Sequence, residues 1–194
     1  KWFCEAFEGN KDVGLVLKTN HGRSTHIDRR LTNKVINDTI AYVRKGQYPK
    51  IHVVHGMMTQ KEVAGLYKNK SIKSMLLATR GEGYGLPLVE AAASGLPITV
   101  TGWSGHMDFL MAPSSLKKKG QRRDTPHMLQ VDYTLGPLPK EVVWEGVLVE
   151  NSMWANPDFL SARKQMRSLK NDYKKHKTKA TKLKKHILNN FTEQ

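Results

Sequence analysis

The sequence predicts an α/β fold, a parallel sheet flanked by helices and followed by a basic helical tail. Three observations predict it. Short apolar runs recur between residues 13 and 149, and they are nearly all apolar rather than alternating, as in strands covered on both faces. Helical stretches separate them, and strand–helix–strand order at this spacing implies right-handed parallel crossovers. Beyond residue 160, apolar residues return at helical spacing among lysines.

Taken in order, strands are expected at 13–18 (VGLVLK), 51–55 (IHVVH), 74–79 (SMLLAT), 97–101 (PITVT), 128–133 (MLQVDY) and 147–149 (VLV). Helices are expected at 29–45, 59–67 and 86–94. The second opens TQKE, where Thr59 can cap and Glu62 can reach back. Residues 112–125 are polar, lysine-rich and aperiodic, which predicts a mobile loop. The segment 135–139 (LGPLP) should break regular structure, and Pro157 suits the first turn of the terminal helical region. With 194 residues and 39% hydrophobic content, one core is expected. The body would occupy 1–155, truncated at its N-terminal edge, and the tail 156–194.

The net charge of +15 is concentrated. Residues 161–194 hold eleven Lys/Arg against Asp172 and Glu193, and 117–123 (KKKGQRR) adds five with no acid, leaving +1 elsewhere. In the tail, Met166, Leu169, Tyr173, His176, Ala180, Leu183 and Ile187 form one narrow stripe. Two readings stay open: the stripe packs on the body, or the tail docks on an anionic membrane surface. Nucleic-acid binding is the weaker option, because no aromatics interleave the lysines. No run reaches the roughly 18–20 apolar residues of a spanning helix. The single Cys4 suggests a reducing, cytoplasmic setting.

The run from Arg80 to Glu90 (RGEGYGLPLVE) follows an expected strand and opens an expected helix. Ligands of open parallel sheets bind beyond the carboxyl ends of strands. Gly81, Gly83 and Gly85 permit close backbone approach, and the helix amides that follow suit a phosphate. Carboxylates would repel that phosphate, so Glu82 and Glu90 are better matched to vicinal hydroxyls. Glu90 lies about a turn inside the helix, roughly 5 Å along its axis. A ligand with a diphosphate between two diols, a nucleotide-sugar, would satisfy both acids and the amides. Alternatively, the two acids simply decorate a helix N-terminus.

The stretch TRGEGYGLPLVEAAASGLPITVT, with Glu82 and Glu90 separated by seven residues, resembles the donor-binding motif of GT-B glycosyltransferases of the group 1 (family 4) type. The flanking IHVVHGMMTQKEVAGLYKN and SMWANPDFLSARKQMRSL agree in order, so the resemblance covers roughly residues 10–170. It implies the Rossmann-like C-terminal half of such an enzyme, transferring a hexose from a UDP-, GDP- or ADP-sugar with retention and without a metal. Glu82 would be catalytic, holding hydroxyls of the transferred sugar. The amides of Gly83, Tyr84, Gly85 and Leu86 would meet sugar and diphosphate, and Glu90 the ribose diol. Gly56 and Met57 fall where the family contacts the base, and Lys18 and Arg80 are the nearest candidates for the phosphates. The resemblance also implies an acceptor (glycan, lipid or protein) and a separate N-terminal domain or second protomer to complete the cleft. The alternative is a non-catalytic module whose basic loop and tail engage nucleic acid or an anionic membrane.

The segment 102–108 (GWSGHMD) should share the same sheet edge, where His106 or Asp108 touches the ligand or merely shapes the loop. Trp103 alone of the tryptophans is placed to matter. His52 and His55 fall on opposite faces of a strand, without a carboxylate cluster, so no metal is expected there.

Overall fold

The computed structural model describes residues 1–43, 48–113 and 124–191. The chain forms two compact units, Lys1–Gly65 and Leu66–Gln194, so the tail belongs with the second half of the body. That division does not coincide with a boundary at 155/156.

The first unit holds helix α1 (Trp2–Ala6), strand β1 (Gly14–Thr19), helix α2 (His26–Val43), strand β2 (Lys50–His55) and most of helix α3 (Gln60–Lys68). Strands β1 and β2 pair in parallel over six residues, from Gly14↔Lys50 to Thr19↔His55. Helices α2 and α3 both start on reciprocal caps. At α3 the Thr59 amide donates to Glu62 Oε2 (2.7 Å) and the Glu62 amide to Thr59 Oγ1 (3.3 Å), as the TQKE pattern predicts. At α2 the Thr25 amide donates to Asp28 Oδ2 (2.9 Å) and the Asp28 amide to Thr25 Oγ1 (3.2 Å). These bonds hold both carboxyls below their usual range, the backbone donor contributing most. The Thr25–Asp28 cap starts α2 at His26, three residues before the expected Arg29.

Expectation and structure part on burial. Strands β1 and β2 contain no fully buried residue, and neither do α2 and α3. The doubly covered sheet holds for only part of the chain.

The second unit adds strand β3 (Met75–Leu77), helix α4 (Leu86–Ala93), strand β4 (Ile98–Thr101), helix α5 (Met107–Leu110), strands β5 (Met111–Pro113), β6 (Asp124–Pro126), β7 (Leu129–Val131), β8 (Tyr133–Pro137) and β9 (Met153–Pro157), and helices α6 (Phe159–Asn171) and α7 (Tyr173–Asn190). Its parallel strands run β3-β4-β7, with β4 central and every β4 residue buried. The parallel strands thus form a pair and a triplet, not one continuous hydrogen-bonded sheet, among the described residues.

Leu88, Ala91 and Ala92 of α4 pack with Ile98, Val100, Phe109, Leu110 and Met128, and α7 closes this core with Leu183 and Ile187. Each fully buried Leu, Ile, Val or Phe side chain here contributes about 1.5–3 kcal/mol. Helix α4 ends in a Schellman turn. Gly95 (φ +75°) donates its amide to Ala92 and Leu96 donates to Ala91, while Lys177 of α7 places its ammonium 2.6 Å from the Gly95 carbonyl.

Three local expectations are corrected. Residues 135–137 do not break structure but complete β8, antiparallel to β9 with Leu135 opposite Ala155. Pro137 is tolerated because it is the last residue of its strand. Residues 147–149 are exposed and form no strand, only a Trp144↔Leu148 bridge. Pro157 ends β9 and precedes the cap, whose Asp158 side chain accepts from the Ser161 amide at 2.6 Å. Strands β5 and β6 pair antiparallel at the ends of the expected loop. The KKKGQRR stretch within that loop lies outside the described residues.

Candidate functional site

The carboxyl ends of β3 and β4 release two loops that lock together. Thr101 Oγ1, at the end of β4, donates to the Thr79 carbonyl at 2.7 Å. Ser104 Oγ accepts from the Glu82 amide (3.0 Å) and donates to the Glu82 carbonyl (2.8 Å). The Gly105 amide donates to that same carbonyl at 3.1 Å. Three hydrogen bonds therefore fix the main chain of Glu82 from the neighbouring loop.

The lock demands special backbone. A Cβ on Gly105 would sit 1.9 Å from the Gly83 carbonyl oxygen, so only glycine allows the loops to cross. Ser104 holds φ +97°, a conformation costing a non-glycine residue about 1–3 kcal/mol. His106 is fully buried and donates from Nε2 to the Thr101 carbonyl at 2.8 Å. It therefore bolts the second loop to β4. Asp108, in α5, is exposed.

Gly85 adopts φ +85°, ψ +53° and turns the chain directly into α4, with Pro87 in the first turn. The amides of Leu88 and Val89 return to the Gly85 carbonyl. Those of Gly83, Tyr84, Gly85 and Leu86 have no hydrogen-bond partner among the described residues. They form a donor set at the positive end of a helix. Tyr84 is exposed, and its ring lies 5.4 Å from Phe109.

Neither acid points into the core. Glu90 is exposed, on the face of α4 opposite the buried Leu88, Ala91 and Ala92. Tyr67 hydrogen-bonds its carboxylate, and that phenol is pushed up to about 12, by burial first and then by the charge and bond of Glu90. Glu82 is half-buried, and its carboxylate has no hydrogen-bond or ion-pair partner among the described residues.

Of the basic candidates, Arg80 is exposed and lays its guanidinium 4.3 Å over the Trp154 ring. The Arg80 carbonyl also accepts from the Ala155 amide of β9 at 3.1 Å. Trp103 covers Gly81 and lies 6.4 Å from the Tyr133 ring. The structure thus brings Arg80, Glu82, Gly83, Tyr84, Gly85, Leu86 and Glu90 together on one edge.

Gly56, Met57 and Lys18 belong to the first unit and are grouped with one another. The Gly56 amide donates to the Thr19 carbonyl, and Gly56 holds φ +109°. Lys18 Nζ donates to the Gly56 carbonyl at 2.5 Å, so its ammonium is already engaged. Met57 is exposed, its sulfur accepting from Asn20 Nδ2 at 3.3 Å.

Sequence reasoning missed Tyr67 and Trp154. Each reaches its partner through tertiary packing, and no local spacing announces it. Ser104 lay inside the singled-out GWSGH segment, but its left-handed backbone is not a choice that serine advertises.

No family model matches the chain, and no curated protein matches it. No cluster of three or more His, Cys, Asp or Glu comes together among the described residues. No helix among them is long and apolar enough to cross a membrane.

Proposed function

We propose that the second unit binds the donor of a glycosyl transfer, a nucleoside-diphosphate hexose, as the Rossmann-like donor half of a retaining GT-B glycosyltransferase. One observation carries this reading: four amides at the head of α4, without a hydrogen-bond partner among the described residues, lie in sequence between Glu82 and Glu90, neither of which is buried. The amides suit the diphosphate, and each carboxylate suits a vicinal diol, because charge-assisted hydrogen bonds are the strong kind.

In that role Glu82 holds the sugar, its main chain fixed by Ser104 and Gly105 so that little ordering remains when the donor binds. Glu90 takes the ribose, and the Tyr67 phenol orients its carboxylate. Arg80 contributes positive charge near the diphosphate, its orientation set by Trp154. The acceptor site and the opposite wall of the cleft come from a separate N-terminal domain or a second protomer, in the cytoplasm.

Calorimetric titration with UDP, GDP and ADP tests the reading. One of the three should bind, and Glu90→Gln should weaken it about tenfold, the loss of one charge-assisted contact. Failure of all three to bind the wild type would overturn the donor site.

A further inference from the structure

Five of the seven lysines of α7 fall into two groups. Lys177 and Lys184 lie against Gly95, where Lys177 caps the end of α4. Lys179, Lys182 and Lys185 face the other way, three residues apart and so along one side of the helix. With His186 of α7 and His127 they line a cavity of about 510 Å³ whose remaining wall comes from β5 and β6. The volume falls within the roughly 300–1,000 Å³ of small-molecule sites.

No carboxylate lines this cavity, and none of the three lysines has an ion-pair partner among the described residues. Five groups able to carry positive charge thus converge with no carboxylate among the described lining residues. A solvated lysine face spreads its charges apart, whereas these enclose a space together with imidazoles. The His127 ring approaches the Lys179 main chain, yet neither of its buried nitrogens completes a hydrogen bond of good geometry. Buried polar nitrogens are ordinarily satisfied, so this ring is short of a partner. His186, which also lines the cavity, accepts at Nδ1 from Asn190 Nδ2 at 3.2 Å.

We propose that this cavity is a phosphate-binding site, separate from the α4 site, taking a multiply charged phosphate or phosphomonoester group. Such a group offers three acceptor oxygens and about two negative charges, enough to engage lysines and imidazoles together. An anion there also offsets what now disfavours the charged His127 ring: first its burial, then the cations Lys179 and Lys182 and the imidazole His186. The group can arrive on a free molecule or as a lipid headgroup, and the chemistry at the cavity is the same.

The test uses the whole chain with inorganic phosphate in solution and, separately, phosphatidylcholine vesicles with and without phosphatidic acid. Lys182→Gln/Lys185→Gln removes two cavity cations. Lys164→Gln/Lys170→Gln removes the same charge from exposed positions on α6 and serves as the matched control, with circular dichroism confirming that both fold. The cavity variant should bind its anion at least about tenfold more weakly than wild type, and the α6 variant should bind normally. Binding of inorganic phosphate by wild type that weakens in the cavity variant identifies a free ligand, and binding only to phosphatidic acid vesicles identifies a headgroup. Equal weakening in both variants, or no binding of either probe by wild type, would overturn the site. So would a single-stranded oligonucleotide binding more tightly than inorganic phosphate and weakening equally in both variants, the mark of a diffuse polyanion surface.

Discussion

The two units of the chain invert the usual relation between strand length and burial. The first has the longer parallel pair, six residues matched to six, and no fully buried residue in either strand. The second has three- and four-residue strands, and its central strand is buried throughout. Backbone pairing sets register, but apolar surface removed from water is the dominant favourable term. Cooperative stability is therefore concentrated in the second unit, the one that carries the interlocked loops and α4.

The largest test of that contrast is Leu183→Ala. Leu183 is 1% exposed and joins α7 to the core under α4. Its loss should cost about 2–5 kcal/mol in denaturant unfolding, the range for buried leucines. An equal loss from Val16→Ala in the half-buried β1 would break the comparison.

Acid should sharpen it. His127 and His176 in the second unit are both held below the usual imidazole value of 6.5, chiefly by burial. Their unfolded forms bind protons first, so their contribution is complete above about 6.5 and declines as pH falls below it. In the first unit the lowered groups are Asp28 and Glu62, whose ordinary values are 3.8 and 4.5. Their contribution persists to pH values near 4.5 and is lost below. Hydrogen exchange from pH 7 to 5 should therefore show protection falling in α7 before the starts of α2 and α3. Simultaneous loss would contradict the assignment.

The smallest effect belongs to Thr25→Ala. Removing that cap should cost about 1 kcal/mol, read as lost protection in the first turn of α2 with the core of the second unit unmoved.

How much of this was legible in the sequence depended on range. The Thr59–Glu62 cap and the turn from Glu82 into α4 are local chemistry, written within a few residues, and both were anticipated. The stripe Met166, Leu169, Tyr173, His176, Ala180, Leu183 and Ile187 was legible as a stripe, but only packing decides what it meets. In the structure six of the seven are buried and Tyr173 is half-buried, with Leu183 and Ile187 in the main core, so the inward-packing reading holds for that face.

What failed was burial inferred from composition. The run VLV at 147–149 has strand propensity, yet all three residues are exposed. Likewise Gly136 and Pro137 suggest a breaker, yet an antiparallel partner turned that segment into β8. Propensity describes what backbone a residue tolerates, and a distant partner decides whether it is used.

Helix α4 has only eight residues, gripped at its head by the left-handed Gly85 and at its foot by a lysine from the far end of the chain. Two turns hold no slack, so a disturbance at one end is felt at the other. Acetylating Lys177 would loosen a helix whose opposite end presents the amides. Cutting the chain before Tyr173, as though the lysine-rich end were a dispensable appendage, would take away part of the floor beneath Glu90.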